Sequence, residues 1–176
     1  PEDLRGRRIL DAGCGTGAFA IEAARRGAQV VAIDLSPTLV DIARDRLPAD
    51  VAGAIVFRSG DMLDAGLGQF DHVVAMDSLI HYETSDMVRA LSELAGRTRR
   101  SMVVTFAPSS AALEVMHAVG RLFPRGDRAP AIEPVREGRL RREIVLERRL
   151  AEWEVTHCER IASGFYTSQA LELTRQ

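Results

Sequence analysis

Asp11-Ala12-Gly13-Cys14-Gly15-Thr16-Gly17 sets an acid at the head of glycines spaced G-x-G-x-G. Glycine lets a chain turn tightly and bring its backbone against a ligand where a Cβ would collide. The spacing departs from the G-x-G-x-x-G of dinucleotide binders, and no Lys-Ser/Thr pair follows as in a phosphate-cradling loop. The chain has no lysine at all, since all 23 basic residues are arginine. A leading carboxylate disfavours a pyrophosphate and suits a ligand with an ammonium group.

Two further acids stand where apolar runs stop. Asp34 closes AQVVAID, a position from which a carboxylate accepts bonds from ribose hydroxyls, with Leu35 beside it. Asp61 lies in Ser59-Gly60-Asp61-Met62. Its carboxylate can accept an adenine exocyclic amine while Met62 offers the ring a soft apolar face. Together these groups suit a cationic, adenosine-containing ligand without phosphates, and S-adenosylmethionine fits that description. The cofactor-side candidates are Asp11, Gly13, Cys14, Gly15 and Gly17 in the turn, then Asp34, Leu35, Asp61 and Met62. Met76 and Asp77, in FDHVVAMDS, join them, Asp77 near the methionine end rather than as a base. Cys14 has a second reading as a residue that merely fits the turn, and Met62 as ordinary core.

The elements that must position these residues are those of an α/β domain. RRILDAGCG reads as a strand stopping at Asp11, and AFAIEAARRG (18–27) as a helix ended by Gly27. AQVVAIDLS is a second strand, whose continuous apolar run suits a parallel sheet covered on both faces. Ser36 and Pro37 read as N-cap and first position of the helix PTLVDIARDRL. AIVFRSGD, FDHVVAMDS and SMVVTFAP are three more strands, and Thr84 or Ser85 is expected to cap the helix DMVRALSELAG. Such a βαβ series with short connections predicts a mainly parallel sheet. Beyond it, SAALEVMHAVGRLF (110–123) is helix-like, and PRGDRAPAIEPV carries too many prolines for regular structure. A charged helix over roughly 136–150 and the strand pair WEVTHCERI and FYTSQALEL complete the chain. The expected fold is Rossmann-like: a seven-stranded, mainly parallel sheet with an antiparallel C-terminal strand and helices on both faces, in one domain over 1–176.

Composition narrows the function classes. With 46% hydrophobic and 27% charged residues and a formal net charge of −2, the chain can build a core but lacks the basic excess of a duplex-DNA binder. No apolar stretch reaches the ~20 residues that a membrane-spanning helix needs. PEDLRGRRIL lacks the layout of a signal peptide, so a cytoplasmic location is expected. Cys14 and Cys158 can make neither a disulfide framework nor a four-thiolate zinc site, and no protein-bound metal is expected.

DAGCGTG, IDLS, GDM and FDHVVAMDSLIHY, in that order, resemble the class I S-adenosylmethionine-dependent methyltransferases. Four further segments resemble the magnesium-protoporphyrin IX methyltransferases of (bacterio)chlorophyll synthesis: MDSLIHY (76–82), GRLFPRGDRAPAIEPV (120–135), Trp153 and RIASGFYTSQALEL (160–173). The resemblance covers nearly the whole chain. It implies methylation of one propionate of magnesium protoporphyrin IX, giving the monomethyl ester and S-adenosylhomocysteine, with the magnesium carried by the substrate. It also implies a magnesium chelatase subunit as a handover partner and a photosynthetic membrane as a place to dock.

On this reading His81 is the candidate catalytic residue. It could aim the propionate through a hydrogen bond, ligate the porphyrin magnesium, or be structural, and the preference of magnesium for oxygen ligands favours the first. Tyr82 could line the same pocket. The segment 109–135 is the expected acceptor side, where Met116, Leu122 and Phe123 offer apolar surface and Arg121, Arg125 and Arg128 could hold the second propionate. His117, Trp153, Ser168 and Gln169 read as packing or sheet residues. One alternative acceptor is another flat apolar molecule such as a quinone precursor, whose phenol needs a base. A second alternative is a cofactor-binding domain without turnover. Because few residues precede the first strand and the chain begins at Pro1, a helical lid is expected to be missing from this sequence.

Overall fold

A computed structural model describes residues 3–109, 132–163 and 166–176. Strands β1 (Arg8–Ala12), β2 (Gln29–Asp34), β3 (Ile55–Ser59), β4 (Phe70–Ala75) and β5 (Thr98–Phe106) come first. They alternate with helices α1 (Ala18–Arg25), α2 (Pro37–Asp45) and α3 (Thr84–Ala95). Helix α4 (Glu137–Leu146) then leads to β6 (Trp153–Ser163) and β7 (Tyr166–Arg175). The sheet order is β3-β2-β1-β4-β5-β7-β6. Pairings from β3 to β5 are parallel, and β7 runs antiparallel to both its neighbours. The seven-stranded, mainly parallel sheet with a reversed C-terminal strand is the one expected.

Side-chain alternation along the strands makes two cores. Leu10, Val31, Ile33, Val73 and Met102 point to the face covered by α3 and α4, where Leu91, Leu140 and Ile144 meet them. Ile9, Val30, Ala32 and Val74 point to the opposite face, against Ala20 and Ala23 of α1 and Val40 of α2. Burial on both faces is why the parallel strands read as continuous apolar runs.

Ser36 caps α2 as expected: its Oγ accepts from Leu39 N–H at 3.3 Å, and Pro37 follows at the start of the helix. The cap expected for α3 is different. That helix already begins at Thr84, which is buried, and Glu83 stands at the N-cap without a side-chain bond. The charged helix is also shorter than expected, ending at Leu146 and followed by a separate turn of tight helix over Arg148–Leu150.

Candidate functional site

The chain leaves β1 for β2 on one side and later returns to place β4 on the other, so a crevice opens at the carboxyl ends of these strands. There lies a cavity of ≈150 Å³, bounded by Gly13, Asp34, Leu35, Asp61 and Met62, together with Ile33, Gly60, Ser78 and Tyr82. Small-molecule pockets usually exceed ~300 Å³, so these residues enclose only part of a nucleoside-sized ligand. Among the described residues, the lining holds two carboxylates and no cationic side chain.

Asp34 organises the site. One oxygen accepts Gly15 N–H at 2.8 Å and the other accepts Ser36 N–H at 2.9 Å. Its backbone carbonyl takes Gly60 N–H at 2.9 Å, while the neighbouring Ile33 carbonyl takes Gly13 N–H at 2.8 Å. The glycine turn, the end of β2 and the start of the Asp61 loop are thus tied to one residue. A carboxylate offers about four lone-pair sites, so two acceptor sites remain for ligand hydroxyls. Asp61 accepts Leu63 N–H at 2.8 Å through one oxygen. Met62 is buried in the core while also walling the cavity, and Leu35 stands at its rim, 75% exposed.

Other sequence-level candidates stand apart from the cavity. Asp11 is only 2% exposed and lies behind the turn on the α1 side, with one oxygen lacking a hydrogen-bond partner. Gly17 begins α1 with φ +81, where a Cβ would come within 2.9 Å of the Phe57 ring. Its absence of a side chain serves packing. The Cys14 thiol is pushed up to about 12, first by burial and then by the carboxylates of Asp11 and Asp34, so it stays protonated at neutral pH. Met76 is 43% exposed and faces a separate apolar groove with Ile9, Phe19 and Val74. It does not line the cofactor cavity.

Burial raises the Asp11 carboxyl from 3.8 to about 7; the bond from Ala20 N–H opposes this, and the charge of Asp34 adds to it. A carboxyl with a raised folded pKa binds more protons in the native state than in the unfolded one. Its stabilising contribution is full below about pH 4 and is lost as pH rises through about 7. The shift corresponds to about 4 kcal/mol. Relative to Asp11→Asn, the wild type should lose about that much stability between about pH 4 and about pH 8, read by urea unfolding at each pH. A constant difference across the range would contradict it.

The turn after β4 carries Asp77, Ser78, His81 and Tyr82. Tyr82, expected on the acceptor side, packs on the core and walls the cavity bounded by Asp34 and Asp61. Asp77 and His81 are exposed and do not line it. The acceptor-side candidates Met116, Arg121, Phe123, Arg125 and Arg128 lie outside the described residues. The ends of their segment are described. Ser109 N–H donates to Val135 O, Val135 N–H to Ala107 O and Glu133 N–H to Ile80 O, each at 2.8 Å. Both ends therefore sit at the carboxyl ends of β4 and β5, beside the turn that bears His81. Sequence reasoning missed Ser78 and Gly60 as cavity residues. Among the described residues, no group of three or more His, Cys, Asp or Glu could hold a metal ion.

Comparison with known proteins follows the same division. Residues 75–175 match the family described as magnesium-protoporphyrin IX methyltransferase C-terminus, and residues 9–101 match a methyltransferase domain family. The chain is 49% identical over 172 residues to the magnesium-protoporphyrin O-methyltransferase of Rhodobacter capsulatus, covering 98% of this chain and 74% of that protein. It is 30% identical over 173 residues to the chloroplastic magnesium protoporphyrin IX methyltransferase of Arabidopsis thaliana, covering 96% of this chain and 53% of that protein. A ubiquinone biosynthesis O-methyltransferase of Xanthomonas oryzae is 39% identical over 131 residues, covering 70% of this chain and 55% of that one. Among solved structures, magnesium protoporphyrin IX methyltransferase from Synechocystis with bound SAH superposes with a TM-score of 0.82 at 29% identity, covering 98% of this chain and 75% of that one.

Proposed function

Since the chain belongs to the magnesium-protoporphyrin IX methyltransferase family, we propose that it methylates a propionate carboxylate of magnesium protoporphyrin IX. The methyl comes from S-adenosylmethionine, and the products are the monomethyl ester and S-adenosylhomocysteine. The observation that carries this reading is the family match over residues 75–175, which span the turn after β4 and the acceptor-side segment. A cavity with two carboxylates and no cation suits a sulfonium ligand, and the spare acceptor sites of Asp34 suit a ribose.

The cofactor supplies a methyl group on a positively charged sulfur, and the carboxylate oxygen takes it while the C–S bond electrons return to sulfur. A propionate with a pKa near ~4.5 is already ionised at neutral pH, so no side chain must remove a proton. The work left to the protein is alignment and exclusion of water. In this reading Asp34 receives the ribose hydroxyls, Asp61 the adenine amine, and Met62 and Leu35 flank the ring. The glycine turn and Asp77 serve the methionine end, with Asp11 buried behind that turn. His81 aims the propionate by a hydrogen bond. Met116, Arg121, Phe123, Arg125 and Arg128 are assigned to the macrocycle and its second propionate. The apolar macrocycle suits handover from a magnesium chelatase subunit and docking at a photosynthetic membrane. Among the described residues no helix is long and apolar enough to cross one.

The Xanthomonas relative favours a second reading, a phenolic acceptor on a quinone precursor. One experiment separates them: labelled S-adenosylmethionine is supplied with magnesium protoporphyrin IX or with a catechol quinone precursor. The expected product is an alkali-labile methyl ester on the porphyrin, with kcat/KM flat from about pH 6 to about pH 8. An alkali-stable ether on the catechol, with a break near the pKa of a histidine, would replace that conclusion.

A further inference from the structure

Among the described residues, Asp77 alone adopts a left-handed backbone without being glycine, at φ +55. That conformation is costly for a residue with a Cβ and persists only where the surroundings hold it. Thr105 does so from both sides. Its hydroxyl oxygen accepts Asp77 N–H at 2.8 Å and its hydroxyl donates to Asp77 Oδ1 at 3.0 Å. Thr105 is buried near the end of β5, in register with Ala170 of β7, so the clip is fixed to the sheet.

Asp77 heads the turn that supplies one wall of the cofactor cavity. Ser78 follows it and lies so close to Gly13 that a Cβ there would stand 2.3 Å from Ser78 Cβ. Ser78 and Tyr82 face the cavity. The buried Ser78 hydroxyl has no hydrogen-bond partner, so its own side chain does not moor the turn by such a bond. The direction of the wall is therefore set one residue earlier.

We infer that Thr105 is a positioning residue: by clipping Asp77 in its left-handed conformation, it sets where Ser78 and Tyr82 stand against the methyl donor. This rests on the cofactor reading above. The test is calorimetric titration of S-adenosylhomocysteine into the wild type, Thr105→Val, Thr105→Ser, Asp77→Gly and the Asp77→Gly/Thr105→Val double variant. Thr105→Val should weaken binding about tenfold at unchanged stoichiometry, while Thr105→Ser, which keeps the hydroxyl, should stay within about twofold of the wild type. Glycine needs no holder at this position, so adding Thr105→Val to Asp77→Gly should cost less than about twofold. A merely structural role would lower the stoichiometry and leave the affinity of the folded fraction unchanged.

The inference is overturned if Thr105→Val binds like the wild type, loses stoichiometry alone, or shows the full loss in both backgrounds. Asp77→Ala, which keeps the strain and loses the carboxylate, should bind more weakly than Asp77→Gly, and equal affinities would overturn it independently of how Thr105→Val folds. No binding by the wild type would instead remove the cofactor reading and this inference with it.

Discussion

Replacing Gly13 by alanine should weaken S-adenosylhomocysteine binding by more than about a hundredfold, equivalent to about 2.7 kcal/mol. Two effects add. Gly13 has φ +86, and its added methyl would stand 2.3 Å from Ser78 Cβ, whereas carbon atoms rest ~3.5–4.0 Å apart. The turn after β4 would have to retreat, but Asp77 is clipped to Thr105 and Leu79 is fully buried. Strain therefore falls on the glycine turn and deforms the cavity. Gly15→Ala is the matched contrast: φ is +52, nothing lies within 4 Å, and only a backbone cost of about 1–2 kcal/mol applies. Its binding should fall about tenfold or less. Equal affinities for the two variants would mean that the Ser78 turn yields freely.

Asp34→Asn should be at least as damaging as Asp34→Ala, with both weakening the cofactor about a hundredfold or more. The carboxylate accepts Gly15 N–H and Ser36 N–H with separate oxygens. An asparagine can satisfy one of them, but its amide nitrogen then points donors at the other N–H. Alanine leaves both donors to water. In each case the acceptors proposed for the ribose hydroxyls are lost, and the glycine turn loses its tie to β2. Titration with S-adenosylhomocysteine reads this directly. Near-wild-type affinity of Asp34→Asn would remove the carboxylate from the proposed role.

Much of this organisation was legible because it is written locally. Continuous apolar runs ending in acids marked β1 and β2, and Ser36-Pro37 marked the start of α2, since each signal lies within a few residues of its effect. The misplacement of Met76 had a readable remedy. His72 and Val74 on β4 and Met76 just beyond it alternate onto the groove face, so period-two counting would have separated Met76 from the cavity. The same counting sets Asp11 with Ile9 on the α1 side. Ser78 and Gly60 were not legible, because their place in the site depends on packing against Gly13 and Asp34, far away in the chain. The same holds for Thr105, whose partner Asp77 lies in the turn after β4, far away in the chain. Thr84 or Ser85 was expected as the cap of α3, but the helix begins one residue earlier, with Glu83 at the N-cap and Thr84 already buried within it.

The described residues flanking the acceptor-side segment are anchored at two feet, where Ser109 N–H bonds Val135 and Glu133 N–H reaches Ile80. Closing a flexible connection between two fixed ends costs only about 0.6 kcal/mol more per doubling of its length. The bonds made by Asp34 lie at the end of β2, two places from β4 in the sheet order. Substitutions between the feet can therefore change the proposed acceptor side while the bonds that Asp34 makes stay as they are.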